Sequence, residues 1–499
     1  MAKWSLQNCR WDNYASYLQQ NPLVSRFALP FTNNPWYKNF MIEKVIAYLD
    51  ANQEKFVAEL QEYVSFPSVS TDPAYTQQVR ACAEWLVNHF RTLGLSSVLH
   101  ETHGHPVVLA RTFKSEKPKR PHIVVYGHYD VQPPDPLDKW VTPPFQATIR
   151  DGHFYGRGTA DNKGQHFVHI KAVEAYLKTD TDLPCDITFV IEGEEETGST
   201  GFASWLKENA ASLHCDAIVI SDTSMPAPDK PALTYSIRGL VNFEILVEGP
   251  GTDLHSGVYG GIVDNPIIVL CKLLAAVHDK SGRIRIPTFY NDVKPITAKQ
   301  KSILSKGSIP AKQLKKILGV RAFGGEKGFT LEERRTSRPT FEINGIWGGY
   351  IGQGSKTIIP SKAGAKISCR LVPNQDPHRV YNAVKKFLTS LAPETVTLRF
   401  QYGAGCKAYM LDPDTELAKA ALTALQRAFN KKPLLIKEGG SIPIVSEMTR
   451  LLKADAIMIG FALPDAQIHA PNERLDLECF RKGQYTSAFL WQLLPKACK

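Results

Sequence analysis

A chain of 499 residues is longer than one hydrophobic core sustains, so two or three domains are expected. With 43% hydrophobic and 22% charged residues, the composition is that of a folded globular protein and excludes intrinsic disorder. The formal net charge of +10 would suit a nucleic-acid binder, but the basic residues are dispersed and runs such as 114–120 are short and turn-like, so no nucleic-acid partner is expected.

Residues 1–40 are rich in aromatic and amide side chains without periodicity, and are expected to form an extension of unassigned role. They contain no apolar leader, and no stretch of the chain approaches the roughly 18 apolar residues of a membrane span, which predicts a cytoplasmic protein with no membrane partner. Apolar residues recur at helical spacing over 42–64 and 81–95. Strand signals follow at 107–110, 123–126, 187–191 and 217–220, with helical patterns at 165–177 and 203–209 between them. This alternation predicts a layered α/β catalytic domain with a largely parallel central sheet.

From Leu240 the texture changes to apolar and polar residues in alternation, the mark of a half-buried strand. A long helical pattern at 266–278, a lysine-rich stretch at 294–316 and strands at 340–343 and 365–372 follow. A Gly-rich turn at Gly403-Ala404-Gly405 then leads to a helix over 415–429, and apolar strand texture returns at 456–461. The expected division is an extension at 1–40, a catalytic domain in two parts at 41–235 and 401–499, and an inserted α+β domain at 236–400. Nine cysteines at irregular spacing, without a Cys-x-x-Cys pair, argue against a disulfide framework and a cysteine-held zinc.

The run Ile123-Val124-Val125-Tyr126 ends in Gly127-His128-Tyr129-Asp130, which places a histidine and a carboxylate where a buried strand exits. Asp161, Glu196, Asp222 and His469 occupy other strand exits or adjoining loops. Hydrolysis of an amide at neutral pH is served by two divalent ions held by imidazole and carboxylate ligands, one carboxylate bridging, and these five residues supply such a set. Asp130, on the same face as His128, would orient the imidazole. Of the tandem Glu195-Glu196, adjacent residues of an extended loop point apart, so Glu196 is assigned to metal and Glu195 to the water as general base and proton donor. Imidazole and carboxylate suit Zn and Mn alike.

These residues lie in GHYDVQP at 127–133, GRGTADNKG at 156–164, EGEEETGS at 192–199 and ISD at 220–222. Further motifs are DLHSGVYGG at 253–261, KTIIP at 356–360, ISCRLVP at 367–373 and EGGSIP at 438–443. From about residue 45 onward the chain resembles the co-catalytic metallopeptidases that include carboxypeptidase G, aminoacylase, acetylornithine deacetylase and carnosinase, and most of all the carnosinase and cytosolic nonspecific dipeptidase branch.

The resemblance implies two divalent metal ions per subunit, bridged by Asp161, with His128, Glu196, Asp222 and His469 completing the pair. It implies Glu195 as base and Asp130 as support for the ligand histidine. The family commonly has Asp after the bridging Asp, often across a cis peptide; Asn162 stands there, and little change in metal binding is expected. By the same likeness the inserted domain is a lid and dimer interface, so a homodimer is expected. His255 would reach the neighbouring protomer's active site and stabilise the tetrahedral intermediate. Arg370 would bind the substrate's C-terminal carboxylate, and Thr357, Gly440, Ser441 and His469 would also contact substrate. Trp347 and Tyr350 are read as packing residues, and His103 and His105 as a polar loop. The implied activity is hydrolysis of dipeptides or short peptides; a deacylase or desuccinylase acting on N-acyl amino acids is the alternative enzyme, and a non-catalytic binding protein the alternative of another class.

Overall fold

The computed structural model describes residues 35–115 and 117–498. The expected extension at 1–40 lies outside the described residues except for the start of helix α1, Pro35–Ala51. α1 and α2, Gln53–Ser65, stand where one helix was expected over 42–64. The break is at Asn52, whose amide donates to Tyr48 O at 2.8 Å, as the amide of Gln53 does to Leu49 O at 2.8 Å. Side-chain amides thus serve the last carbonyls of α1, the competition with the backbone that favours Asn at helix ends. α3, Thr76–Thr92, follows.

The larger sheet is built from β1 Ser96–His100, β2 Val107–Arg111, β3 His122–His128, β4 Asp186–Glu192, β5 Ala217–Ile220 and β6 Ala232–Ile237, joined later by further strands. Its centre, in the order β4-β3-β5 followed by β13, Asp455–Ile459, is parallel throughout. The flanks are antiparallel, with β1 and β2 beyond β4 and β6 beyond β13. β3 and β4 are buried along their whole length, which is why they read as continuous apolar runs without alternation. Helix α4, Lys163–Lys178, packs against this sheet and is buried from Lys163 through Tyr176.

After Ile237 the chain leaves this sheet for a second, antiparallel one. It consists of β7 Gly239–Glu248, β8 Glu342–Gly348, β9 Lys362–Leu371 and β10 Thr397–Cys406, ordered β8-β9-β7-β10. Helices α5, Pro266–Ala275, and α6, Pro377–Leu391, cover one face and close a separate core around Val241, Phe243, Leu270, Ile367 and Val384. β11, Tyr409–Met410, returns to β6 antiparallel and β12, Leu434–Glu438, pairs with β6 in parallel. The boundaries drawn at 236 and 400 therefore fall inside β6 and β10.

Three local expectations are corrected. Gly403-Ala404-Gly405 is not a turn but part of β10, where the register shifts between Tyr402 and Gly405 and Asn242 Oδ1 accepts the Ala404 N–H at 2.5 Å. Glycines here mark a bulge inside a strand. The lysine-rich stretch holds two helices, Ala298–Gly307 and Ala311–Leu318, the first started by a capping box of Thr297 and Gln300. Trp347 and Tyr350 are not packed inside; they are 45% and 46% exposed. Eight cysteines are free among the described residues.

Candidate active site

The four parallel strands end on one rim, and their exits carry four of the five expected ligand residues. His128 is the last residue of β3, Glu196 follows β4 by a short loop, Asp222 lies two residues past β5, and His469 sits in the loop after β13. Asp161 precedes α4, whose first residue is Lys163. His128 Nε2 stands 3.1 Å from Asp161 Oδ1 and 3.8 Å from Asp222 Oδ1. His469 Nε2 stands 2.9 Å from Asp161 Oδ2 and 3.4 Å from Glu196 Oε1. The two oxygens of Asp161 thus face two different groups, His128 with Asp222 and His469 with Glu196.

Both groups have the donors a divalent cation takes: in each, one atom per residue lies within 4.8 Å of the others. Glu196 Oε1 is buried and meets only the His469 ring, at 3.4 Å, with no closer hydrogen-bond partner among the described residues. A buried, under-satisfied carboxylate oxygen beside the Asp161 carboxylate and an imidazole fits a cation. A third acidic group, Glu59, His89 and Glu174, differs because Lys171 Nζ sits within it, at 2.6, 2.9 and 2.8 Å from the three side chains. That ammonium, with Lys55 Nζ at 2.5 Å from Glu174 and 3.6 Å from Glu59, already balances the cluster's two carboxylates. His103 and His105 belong to neither metal group.

The electrostatics follow from burial and crowding. Burial opposes a charged His128, but the surrounding carboxylates of Asp130, Asp161 and Asp222 outweigh it and hold its pKa well above the ordinary range. Hydrogen bonds to Asp161 and Glu196 raise His469 to about 10. Burial, and then the charges of Asp222, Glu196 and Asp161, push Glu195 well above the usual carboxylate range, against the pull of His128. No hydrogen bond is made by the Glu195 carboxyl among the described residues. The segment Glu195–Thr197 is a tight 3-10 turn rather than the extended loop expected. Even so, Glu196 faces His469 while Glu195 belongs to neither metal group.

Asp130 does more than orient a ring. Its Oδ1 lies 3.4 Å from His128 Nδ1, Oδ2 accepts from Ser70 Oγ at 2.6 Å, and the two oxygens accept the backbone N–H groups of Glu195 at 3.3 Å and Glu196 at 3.1 Å. Two supporting residues, Gln132 and Glu473, carry no reading in the sequence, and Asn162 is singled out there only as a non-ligand. Gln132, inside GHYDVQP, donates to Glu196 Oε2 at 2.8 Å. Asn162 accepts the His128 N–H at 3.3 Å and donates to Asp222 Oδ1 at 2.8 Å, so its amide ties two ligands together; the Asp161–Asn162 peptide is cis. Glu473 accepts from Gly158 N, Ala160 N and Asp161 N at 3.0, 2.9 and 3.0 Å and from Arg157 Nη1 at 2.6 Å, clamping the loop that carries Asp161. Its only sequence signal is proximity, four residues after His469.

The substrate residues fall into two groups. Arg370, on β9 of the smaller sheet, donates through Nη1 to Ser441 Oγ at 2.8 Å, across the cleft between the two sheets and beside Gly440. His255 and Thr357 stand together on the short pair Leu254–His255 and Ile358–Ile359, where Ser256 N donates to Thr357 O at 3.0 Å. Both side chains are exposed, and no hydrogen bond or ion pair joins them to the metal residues of their own chain among the described residues.

Known proteins match the chain over nearly its whole length. Cys-Gly metallodipeptidase dug1 of Schizosaccharomyces pombe is 32% identical over 458 residues, spanning 89% of this chain and 96% of that protein. The structure of dipeptidase Dug1p from Saccharomyces cerevisiae superposes with a TM-score of 0.78 at 29% identity, covering 91% of this chain and 98% of that one. Human carnosine dipeptidase 1 gives 0.77 at 29%, covering 91% and 99%. No helix among the described residues is long and apolar enough to cross a membrane. The model of peptidase family M20/M25/M40 matches residues 124–492, the span that holds every ligand named above, and the chain belongs to that family.

Proposed function

We propose that this protein is a metal-dependent dipeptidase that hydrolyses the peptide bond of dipeptides or short peptides. The observation that carries the reading is Asp161, whose two oxygens serve two ligand groups at once, His128 with Asp222 and His469 with Glu196. Two divalent ions bound there, Zn or Mn, supply Lewis acidity toward the scissile carbonyl and the attacking water. Glu195 takes the proton from that water and hands it to the departing amine. Burial and the neighbouring carboxylates raise its pKa, the direction that helps a carboxyl keep the proton between the two halves of this transfer. Asp130 keeps the His128 ring in place and fixes the turn that aims Glu195.

Arg370 and Ser441 are assigned to the C-terminal carboxylate of the substrate, for which the planar guanidinium is suited. Deacylation of an N-acyl amino acid would use the same groups; the three dipeptidase relatives favour the peptide reading. His255 and Thr357, exposed and remote in contact from their own metal residues, suit a site completed by a second copy, with His255 stabilising the developing oxyanion. The smaller sheet and its helices then act as a lid. Val258, Ile262, Ile346, Trp347, Tyr350 and Ile351 are exposed on it, Ile351 at 95%, and support a homodimer formed through this lid. A cytoplasmic location accords with the free cysteines.

The test is a dipeptide panel read against N-acetyl and N-succinyl amino acids, after removal of metal by chelator and resupply of Zn or Mn. Dipeptide cleavage lost and regained is the expected result. Cleavage indifferent to chelator overturns the reading, and preference for the acyl substrates turns it to the deacylase.

A further inference from the structure

Beyond Arg370 the cleft opens into a cavity of about 510 Å³ whose wall carries Arg238 and Arg335 as well as Arg370. Arg238 is nine-tenths buried; it donates to the backbone oxygens of Gly439 at 2.8 Å and Arg338 at 3.3 Å. Among the described residues neither Arg238 nor Arg370 is paired with a carboxylate. The contrast is Arg338 in the same region, which makes two bonds to Glu326 at 2.7 and 2.8 Å. Burial, and then the charges of Arg370 and Arg335, press the Arg238 guanidinium down to about 10, so the three cations act on one another.

The acidic side chains on the same wall do not balance them. Glu332 pairs with Arg335 at 2.8 Å. Glu438 is pushed up to about 7 by burial, and Lys437 adds a further ammonium. The cavity also adjoins the metal ligands, for Glu438 Oε1 accepts the N–H of Ser224, two residues past Asp222, at 2.9 Å. Buried cations with hydrogen-bonding capacity left over fit an anion, and guanidinium forks fit a carboxylate.

We infer that this cavity is a subsite for a second substrate carboxylate, so that the preferred dipeptides carry an acidic C-terminal residue. The inference rests on the reading of Arg370 as the site for the α-carboxylate. Arg370 and Ser441 hold that group, and Arg335, half-exposed at the wall of the cavity, reaches the side-chain carboxylate while Arg238 adds its charge from below.

The experiment compares Ala-Glu with Ala-Gln, isosteric but for the charge, on the metal-loaded protein and on Arg335→Gln. The expected result is a kcat/KM ratio of about 10 or more in favour of Ala-Glu, falling toward 1 in Arg335→Gln. A ratio near 1 in the unaltered protein, or one that Arg335→Gln leaves unchanged, overturns the subsite while the dipeptidase reading stands. Cleavage of neither peptide overturns the dipeptidase reading and the subsite with it. Arg335 is an exposed helical residue, so its loss does not threaten the fold; a melting temperature equal to that of the unaltered protein confirms this.

Discussion

Asp130 accepts the backbone N–H of Glu196 at 3.1 Å while its other oxygen lies 3.4 Å from His128 Nδ1. His128 Nδ1 also stands 3.1 Å from the Asp130 carbonyl oxygen, so Asp130, by backbone and carboxylate together, sets the orientation of an imidazole proposed as a metal ligand and the position of the turn that holds Glu196 and Glu195. Asp130→Asn keeps the volume but replaces an acceptor oxygen with a donor facing an N–H. Metal affinity and turnover are both expected to fall, by about 10- to 100-fold in affinity, read by metal titration of the purified variant. Unchanged affinity contradicts this linkage.

Glu195→Gln separates chemistry from metal binding. Glu195 makes no bond to the ligand groups, so two metals per chain are expected in the variant by elemental analysis. Turnover is expected to drop by about 100- to 10,000-fold, the range for loss of a general acid-base group. Normal turnover refutes the role of Glu195.

Glu473 and Arg157 are an ion pair with side chains 0% and 1% exposed. Burial pushes the Glu473 carboxyl up, and Arg157 with the N–H groups of Gly158 and Ala160 pulls it back. Glu473→Gln strands the guanidinium inside the protein, so a loss of about 3–5 kcal/mol is expected in denaturant unfolding. Arg157→Met with Glu473→Gln recovers part of that loss if the stranded charge is its cause.

The exposed lid residues predict the assembly. Ile351→Glu with Trp347→Glu places charge on a lid-to-lid contact and is expected to shift the mass in solution from two chains to one, measured by light scattering. Activity falls with it, because His255 no longer reaches a neighbouring site. A protein that is a monomer before substitution removes the dimer proposal.

His169 is buried between Ser487 Oγ and Ser221 Oγ, each at 2.8 Å, and burial lowers its pKa from 6.5 to about 3. The unfolded chain binds the proton that the folded one refuses, so this histidine's stability contribution is full above about pH 6.5 and is lost as pH falls toward 3. His169→Gln is expected to flatten the decline of melting temperature between pH 6.5 and 4. An equal decline in both proteins assigns the acid sensitivity to other groups.

Four of the proposed ligand residues, His128, Glu196, Asp222 and His469, could be placed from sequence because each follows a strand of the parallel sheet, which brings its carboxyl ends to one rim whatever the intervening lengths. Asp161 instead precedes helix α4, and it is the motif resemblance together with donor chemistry that singles out all five. Periodicity likewise located the central strands, since full burial leaves continuous apolar runs. It could not show that Asn52 breaks a helix or that Gly403 and Gly405 sit in a bulge, because those outcomes depend on which carbonyl or neighbouring strand a side chain meets. Nor could it show that Trp347 is exposed, as an aromatic residue on a strand reads the same on either face. The clamp of Glu473, the bonds by which Asn162 joins His128 and Asp222, and the gathering of arginines in one cavity belong wholly to tertiary structure. Glu473 reaches Arg157 across more than three hundred residues, and Arg370 meets Ser441 only where two separate sheets face each other, so charge and distance had to be set in three dimensions before either could be seen.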